Sequence, residues 1–155
     1  MQLAAALPFA LGLMEKTAFK QRFYRFMAAV PCMEKTVEDF WDTHEGGIMA
    51  WYLAQRQKED VIISASPEFL LAPLCRRMGI AHLMASRVDP ATGTYSGINC
   101  HGREKVRRFR ECFPEAVIDR FYSDSLSDSP LADIAKESFM VRGNQLLPWP
   151  KDKTK

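Results

Sequence analysis

Apolar residues along the chain keep one period over the first third and another over the rest. Phe19, Phe23, Phe26 and Met27 recur at helical spacing while Lys20, Arg22 and Arg25 take the opposite face, which predicts an amphipathic helix. After Pro31, Val37, Phe40 and Trp41 fall at i, i+3 and i+4 with acidic residues between them, and Gly46-Gly47 supplies a stop. The opening run MQLAAALPFALGLM reads as a further buried amphipathic helix. It is shorter than the roughly 20 residues of a spanning helix, has no leading positive charge, and is interrupted by Pro8. Residues 1–57 therefore read as one helical region.

From residue 58 the period changes. Asp60 to Ser64 (DVIIS) is a β-branched run read as a buried strand, and Pro67 opens a helix whose core stripe is Phe69, Leu70, Leu74, Cys75 and Met78, ended by Gly79. His82 to Val88 reads as a strand that Asp89-Pro90-Ala91-Thr92-Gly93-Thr94-Tyr95 folds back toward Ile98 as a small hairpin. Gly102 to Phe113 is a helix with Val106, Phe109 and Phe113 inward and Arg103, Arg107, Arg108 and Arg110 outward. Val117 to Tyr122 is a strand, Pro130 to Lys136 a short helix, and Phe139 to Val141 a last strand. Strands alternating with helices over 58–150 imply an α/β core with a mostly parallel sheet and ligands at the carboxyl ends of its strands. Residues 151–155, KDKTK, read as a disordered tail.

Composition narrows the classes. In 155 residues, 21 Lys+Arg against 19 Asp+Glu leave a net charge of +2, too little for a long-range field demanding nucleic acid or an anionic membrane. Glu104 and Glu111 break up the basic helix face, and no aromatic platform accompanies it, so it reads as a solvated surface. Cys32, Cys75, Cys100 and Cys112 form no C-x-x-C pair, which suits a reducing, cytoplasmic setting, and His44, His82 and His101 share no metal-ligand spacing.

Two polar clusters follow strands. Asp124 and Asp128 in SDSLSDS can place two hard oxygen ligands beside one magnesium ion; equally, Asp128 or Ser127 caps the next helix and Asp124 sits in a turn. Ser64, with backbone N–H groups near Ala65, can bind a phosphate oxygen; equally, Ser66-Pro67 is a helix cap. Lys105, in the first turn of a basic helix, is on local grounds a solvated lysine.

In chain order these pieces say more. VIISASPEFLLAPLCRRMGI, SRVDPATGTYSGINCHGREKVRRF and FYSDSLSDSPLADIAKESFMVRGNQLLPWP resemble the second, third and fourth motif regions of the haloacid dehalogenase superfamily, in its phosphoserine-phosphatase-like branch, over about residues 60 to 150. The resemblance implies a Rossmann-type parallel sheet with residues 1–57 as an α-helical cap. It also implies magnesium-dependent hydrolysis of a small phosphomonoester, with the phosphoryl group passing to an aspartate and then to water. By the same resemblance Ser64 and Ala65 bind phosphoryl oxygens, Lys105 steadies nucleophile and phosphate, Asp124 binds magnesium, and Asp128 assists through metal-bound water or by ordering its loop.

One element of the family pattern is missing. The first motif, D-x-D-x-T/S, supplies nucleophile and acid/base on a central strand before the cap, yet the first aspartate here is Asp39 and no D-x-D occurs. The expectations are therefore an incomplete sheet lacking its first strand, a truncated chain inactive as given, and an unpaired edge that invites a homodimer or a strand-donating partner. A non-catalytic phosphate- or protein-binding remnant is the alternative; no nucleic acid and no membrane are expected.

Overall fold

The computed structural model describes residue 22 and residues 24–150. The opening apolar run, Phe19, Phe23 and the final KDKTK lie outside the described residues. After a 3-10 turn at Arg25–Ala29, the order is α1 (Met33–His44), α2 (Ala50–Gln55), β1 (Val61–Pro67), α3 (Glu68–Arg77), β2 (His82–Ser86), α4 (Arg103–Cys112), β3 (Ile118–Ser123), α5 (Ser129–Ala132), β4 (Ala135–Arg142) and β5 (Gln145–Pro148). The described part of the cap region is thus helical, and strands alternate with helices after residue 60.

Strands pair in two groups. β1 lies parallel to β2, with Val61 opposite His82, and β3 lies parallel to β4, with Ile118 opposite Ala135. β5 returns antiparallel to β4, with Arg142 opposite Gln145. Among the described residues no ladder joins β1 to β3, so each has one unpaired edge. Both groups nevertheless belong to one core, because Met84, Phe109 and Leu131 are buried against Val61 and Ile63 of β1 and Ile118 and Phe121 of β3.

Helix α4 fixes their common direction. In its first turn Lys105 meets the loop that follows β3, and at its middle Arg108 Nη1 donates to Ala85 O at the carboxyl end of β2 (2.7 Å). At its other end, the Phe113 ring lies 5.1 Å from His82 at the start of β2, and Arg110 Nη1 donates to Ala116 O just before β3 (2.8 Å). All four parallel strands therefore point their carboxyl ends toward the amino terminus of α4, which runs against them, as a connection between parallel strands requires.

On the cap side, α1 turns Val37 and Trp41 inward while Phe40 remains exposed and stacks on His44 at 4.2 Å. Trp41 Nε1 donates to Leu70 O (2.7 Å), and Arg77 of α3 pairs with Glu38, Asp42 and Glu45, so α1 is clamped on α3. α2 rests the Trp51 ring 5.1 Å from Tyr122 of β3.

Several expectations change in detail. β1 is half-buried rather than buried, because an all-parallel strand reaches full burial only with neighbours on both edges. The hairpin after β2 reduces to a single bridge between Val88 and Tyr95, leaving Ile98 exposed. The helix expected to run to Lys136 stops at Ala132, and Ala135 already pairs in β4, since the edge of β3 offers the backbone a better set of partners than another helical turn. β5 was not foreseen, although Gly143-Asn144 between apolar residues is a hairpin signal and Gly143 takes a φ of +56°.

Candidate functional site

The carboxyl ends of β1, β2 and β3 and the first turn of α4 meet at one place. Gly102 sits just before α4 at φ 57°, ψ −127°, backbone that L side chains rarely adopt, and a Cβ there would meet Ser127 O at an ordinary contact distance of 3.9 Å. With the loop after β3 so close, Lys105 Nζ reaches Asp128 Oδ1 at 2.7 Å, and the two side chains are only 8% and 10% exposed. Ser123 Oγ donates to the other oxygen, Oδ2, at 2.8 Å, and accepts the Ser125 N–H at 3.1 Å. Both Asp128 oxygens are thus engaged. The carboxylate makes no helix cap to α5, which answers the capping alternative left open by the sequence. The basic helix face is likewise only partly solvated, for Arg108 turns inward onto Ala85 O and Ile98 O.

Ser64 and Ala65 end β1. Ser64 Oγ accepts the Ser66 N–H at 3.1 Å, which leaves its own O–H hydrogen to donate elsewhere. Ser66 makes no cap; α3 begins after Pro67 without a side-chain cap bond. Ala65 O lies 3.2 Å from the Oγ of Ser86, a fully buried serine at the end of β2. Ser86 Oγ also accepts the Cys100 N–H (2.9 Å) and lies 2.9 Å from Asn99 Oδ1. Cys100, equally buried, donates its thiol to Met84 O (3.7 Å), and burial pushes that thiol's pKa up. Sequence reasoning missed Ser86 and Asn99 altogether; a polar residue at a strand end was the available signal.

Asp124 stands apart from these contacts. Its side chain is exposed and has no hydrogen-bond or ion-pair partner among the described residues, while its carbonyl accepts from Arg142 Nη1 at 2.8 Å and so anchors the loop to β4. A magnesium ion asks for one or two carboxylates and keeps several waters, so the free oxygens of Asp124 fit it and those of Asp128 fit only through water or by giving up present partners. Among the described residues no group of three His, Cys, Asp or Glu side chains is close enough to enclose a metal by itself. A cavity of about 320 Å³ lies to one side, between the first turn of α3 and the turn after β2, lined by Glu68, Phe69, Arg87, Val88 and Asp89. It contains none of the residues singled out from the sequence.

Electrostatics stiffen the amino end of α4. Glu104 receives Arg107 and Arg108, and these hydrogen bonds, Arg107 foremost, hold its carboxyl at about 2, well below its ordinary 4.5. Asp89 is also held low, chiefly by the Ala91 N–H and then by the Thr92 hydroxyl, which fixes the turn after β2. At the tip of that turn Gly93 (φ +70°) meets the cap side: a Cβ there would fall 2.2 Å from Tyr24 O. The Tyr24 and Tyr95 rings lie 6.1 Å apart beside it.

A buried lysine–aspartate pair, a serine hydroxyl at the end of β1 and an exposed carboxylate after β3 all lie at the carboxyl ends of a parallel α/β core, where such folds place their ligands. The chain belongs to the haloacid dehalogenase-like hydrolase family, whose model matches residues 1–133. It is 35% identical to the protein CicA of Caulobacter vibrioides over 83 residues, 50% of this chain and 37% of that protein. It is 30% identical to a Mycobacterium tuberculosis protein named "Probable phosphatase" over 100 residues, 58% of this chain and 34% of that one. A histidinol-phosphatase of Neisseria meningitidis is 27% identical over 95 residues, 54% of this chain and 43% of that enzyme. The chain thus spans less than half the length of these relatives. In fold it is similar to a Bordetella pertussis crystal structure of unknown function, with a TM-score of 0.68 at 20% identity, covering 88% of this chain and 70% of that one. Among the described residues no helix is long and apolar enough to cross a membrane.

Proposed function

We propose that this chain carries the phosphate- and metal-binding half of a magnesium-dependent phosphomonoester hydrolase of the phosphoserine-phosphatase-like branch. The observation that carries the reading is the buried contact of Lys105 with Asp128, whose other oxygen is held by the Ser123 hydroxyl, made by residues 23 apart in the chain at the end of β3. An ammonium withdrawn from water interacts strongly with any further anion brought to it, and a phosphoryl group carries such charge. In this reading the Ser64 hydroxyl and the backbone at Ala65 hold phosphoryl oxygens from one side and Lys105 from the other. Asp124 would hold the magnesium, while Asp128 keeps Lys105 aimed and orders the loop. Magnesium, when bound, offsets the charge of the phosphoryl oxygens.

Hydrolysis also needs a carboxylate free to accept the phosphoryl group, and the sequence contains no D-x-D to supply one. The 155 residues alone are therefore expected to bind orthophosphate weakly and to turn over little. The test is magnesium-dependent phosphate release from an aryl phosphate, comparing this chain with a version extended upstream of Met1. Activity confined to the extended protein supports the reading; robust hydrolysis by the 155 residues, abolished in Asp124→Asn, overturns the claim that the acceptor is lacking.

The unpaired edges of β1 and β3 favour a second reading, a non-catalytic phosphate- or protein-binding remnant completed by a strand from a partner or a second copy. Two folded proteins, both silent in the same assay, would support it. A small phosphorylated substrate and a cytoplasmic setting belong to the first reading.

A further inference from the structure

We infer that Ser86 is a positioning residue that sets the spacing between the two arms of the anion site. The inference rests on the phosphate-binding reading above.

The two arms belong to separate strand groups. Ser64 and Ala65 end β1, whereas Lys105 is fastened to the loop after β3 through Asp128. Among the described residues no ladder fixes β1 relative to β3; the shared core joins the two groups, and a further link at the carboxyl ends bears directly on the spacing of the arms. Ser86 occupies the junction. Its hydroxyl faces Ala65 O on one side (3.2 Å) and, on the other, the Asn99–Cys100 segment that leads through Gly102 into α4. The connection runs from Ala65 through Ser86 to Cys100 and, three residues after Gly102, to Lys105, Asp128 and Ser123.

The hydroxyl's chemistry suits the role. It has one hydrogen and two lone pairs. One lone pair accepts the Cys100 N–H, and the hydrogen chooses between Ala65 O and Asn99 Oδ1. No water competes, since Ser86 is 0% exposed. Removing the hydroxyl leaves the buried Cys100 N–H without this partner and breaks the contact across to Ala65 O, which loosens the segment ahead of α4 from β1. Arg108, donating to Ala85 O and Ile98 O, braces the same junction from the helix side.

The experiment is titration of the 155-residue chain with orthophosphate, read by calorimetry and by the amide resonances of Ala65 and Lys105. Wild type is compared with Ser86→Cys, Ser86→Ala, Ser86→Thr and Ser138→Ala. The cysteine variant keeps the volume but accepts hydrogen bonds weakly, so it carries the test if the alanine variant fails to fold. Ser138→Ala removes a β4 hydroxyl that donates to Ala132 O of α5 and controls for general loosening. Loss of one such hydrogen bond predicts roughly tenfold weaker binding for Ser86→Cys and Ser86→Ala. In both, phosphate should still shift Lys105 while the response of Ala65 collapses; Ser86→Thr restores both and Ser138→Ala changes neither. Wild-type behaviour of Ser86→Cys, or an equal loss in Ser138→Ala, overturns the positioning role alone. Failure of the wild type itself to bind orthophosphate overturns the underlying reading, and this inference with it.

Discussion

At the residue scale the buried pair dominates. Lys105 and Asp128 have each given up most of their hydration, and what offsets the loss is their mutual contact plus the Ser123 hydroxyl. Such a pair tolerates removal of both charges far better than removal of one. Lys105→Met is accordingly expected to cost about 3–5 kcal/mol in urea unfolding, because it leaves a carboxylate buried alone, whereas adding Asp128→Leu to it recovers a large part of that loss. A double mutant as unstable as the sum of the singles would contradict this. Local pattern alone had placed Lys105 on a solvated face, since the first turn of a basic helix normally is one. What buries it is the 123–128 loop, whose Asp128 pairs with it, a contact between distant segments that helical periodicity does not encode. Only the order of motifs along the chain singled the lysine out. Asp124, by contrast, lies in a loop at a strand end, as its Ser-rich neighbourhood suggested. Ser86 carried no signal beyond its place at the end of an apolar run.

At the element scale, α4 and the turn after β2 carry the arrangement. Because the folded-state pKa of Glu104 lies below its ordinary 4.5, its ion pairs with Arg107 and Arg108 contribute fully above that pH, and the contribution is lost as pH falls from there toward 2. Thermal unfolding followed from pH 6 to pH 2.5 should show a falling midpoint in wild type; Glu104→Gln should begin lower and fall less steeply. An unchanged acid slope in the variant would assign the acid sensitivity elsewhere. At the other contact, Gly93→Ala forces left-handed backbone on a residue with a Cβ, at about 1–2 kcal/mol, and drives that Cβ into Tyr24 O. We expect the Tyr24–Tyr95 contact to open, visible as faster hydrogen exchange at the Asp89 and Ser96 amides that close this turn, with Lys105 and Asp128 unaffected. The helices and strands of the core were legible from period and turn residues, since one buried face imposes each period. The ends of α5 and β4 were not, because pairing with β3 overrides a helical pattern too short to hold itself.

At the scale of the whole molecule, the sheet is one layer in packing and two groups in hydrogen bonding. Among the described residues β1 and β3 each keep one unpaired edge. Open edges template association, so light scattering at rising concentration is expected to reveal self-association, which Val117→Lys, a charge at the exposed residue just before β3, reduces. The union of the two groups runs through α4, and its Phe109 is 5% exposed in the shared core. Phe109→Ala should therefore cost about 3–5 kcal/mol and, beyond that loss, divide a single unfolding transition into two. The same feature bears on folding kinetics. β1-α3-β2 and β3-α5-β4 are each contiguous in the chain, so each can close its parallel ladder over a short loop before meeting the other. The slow event is then the seating of α4 across both, and until it happens the protein is two small cores on one tether, with Lys105 and Asp128 still in water.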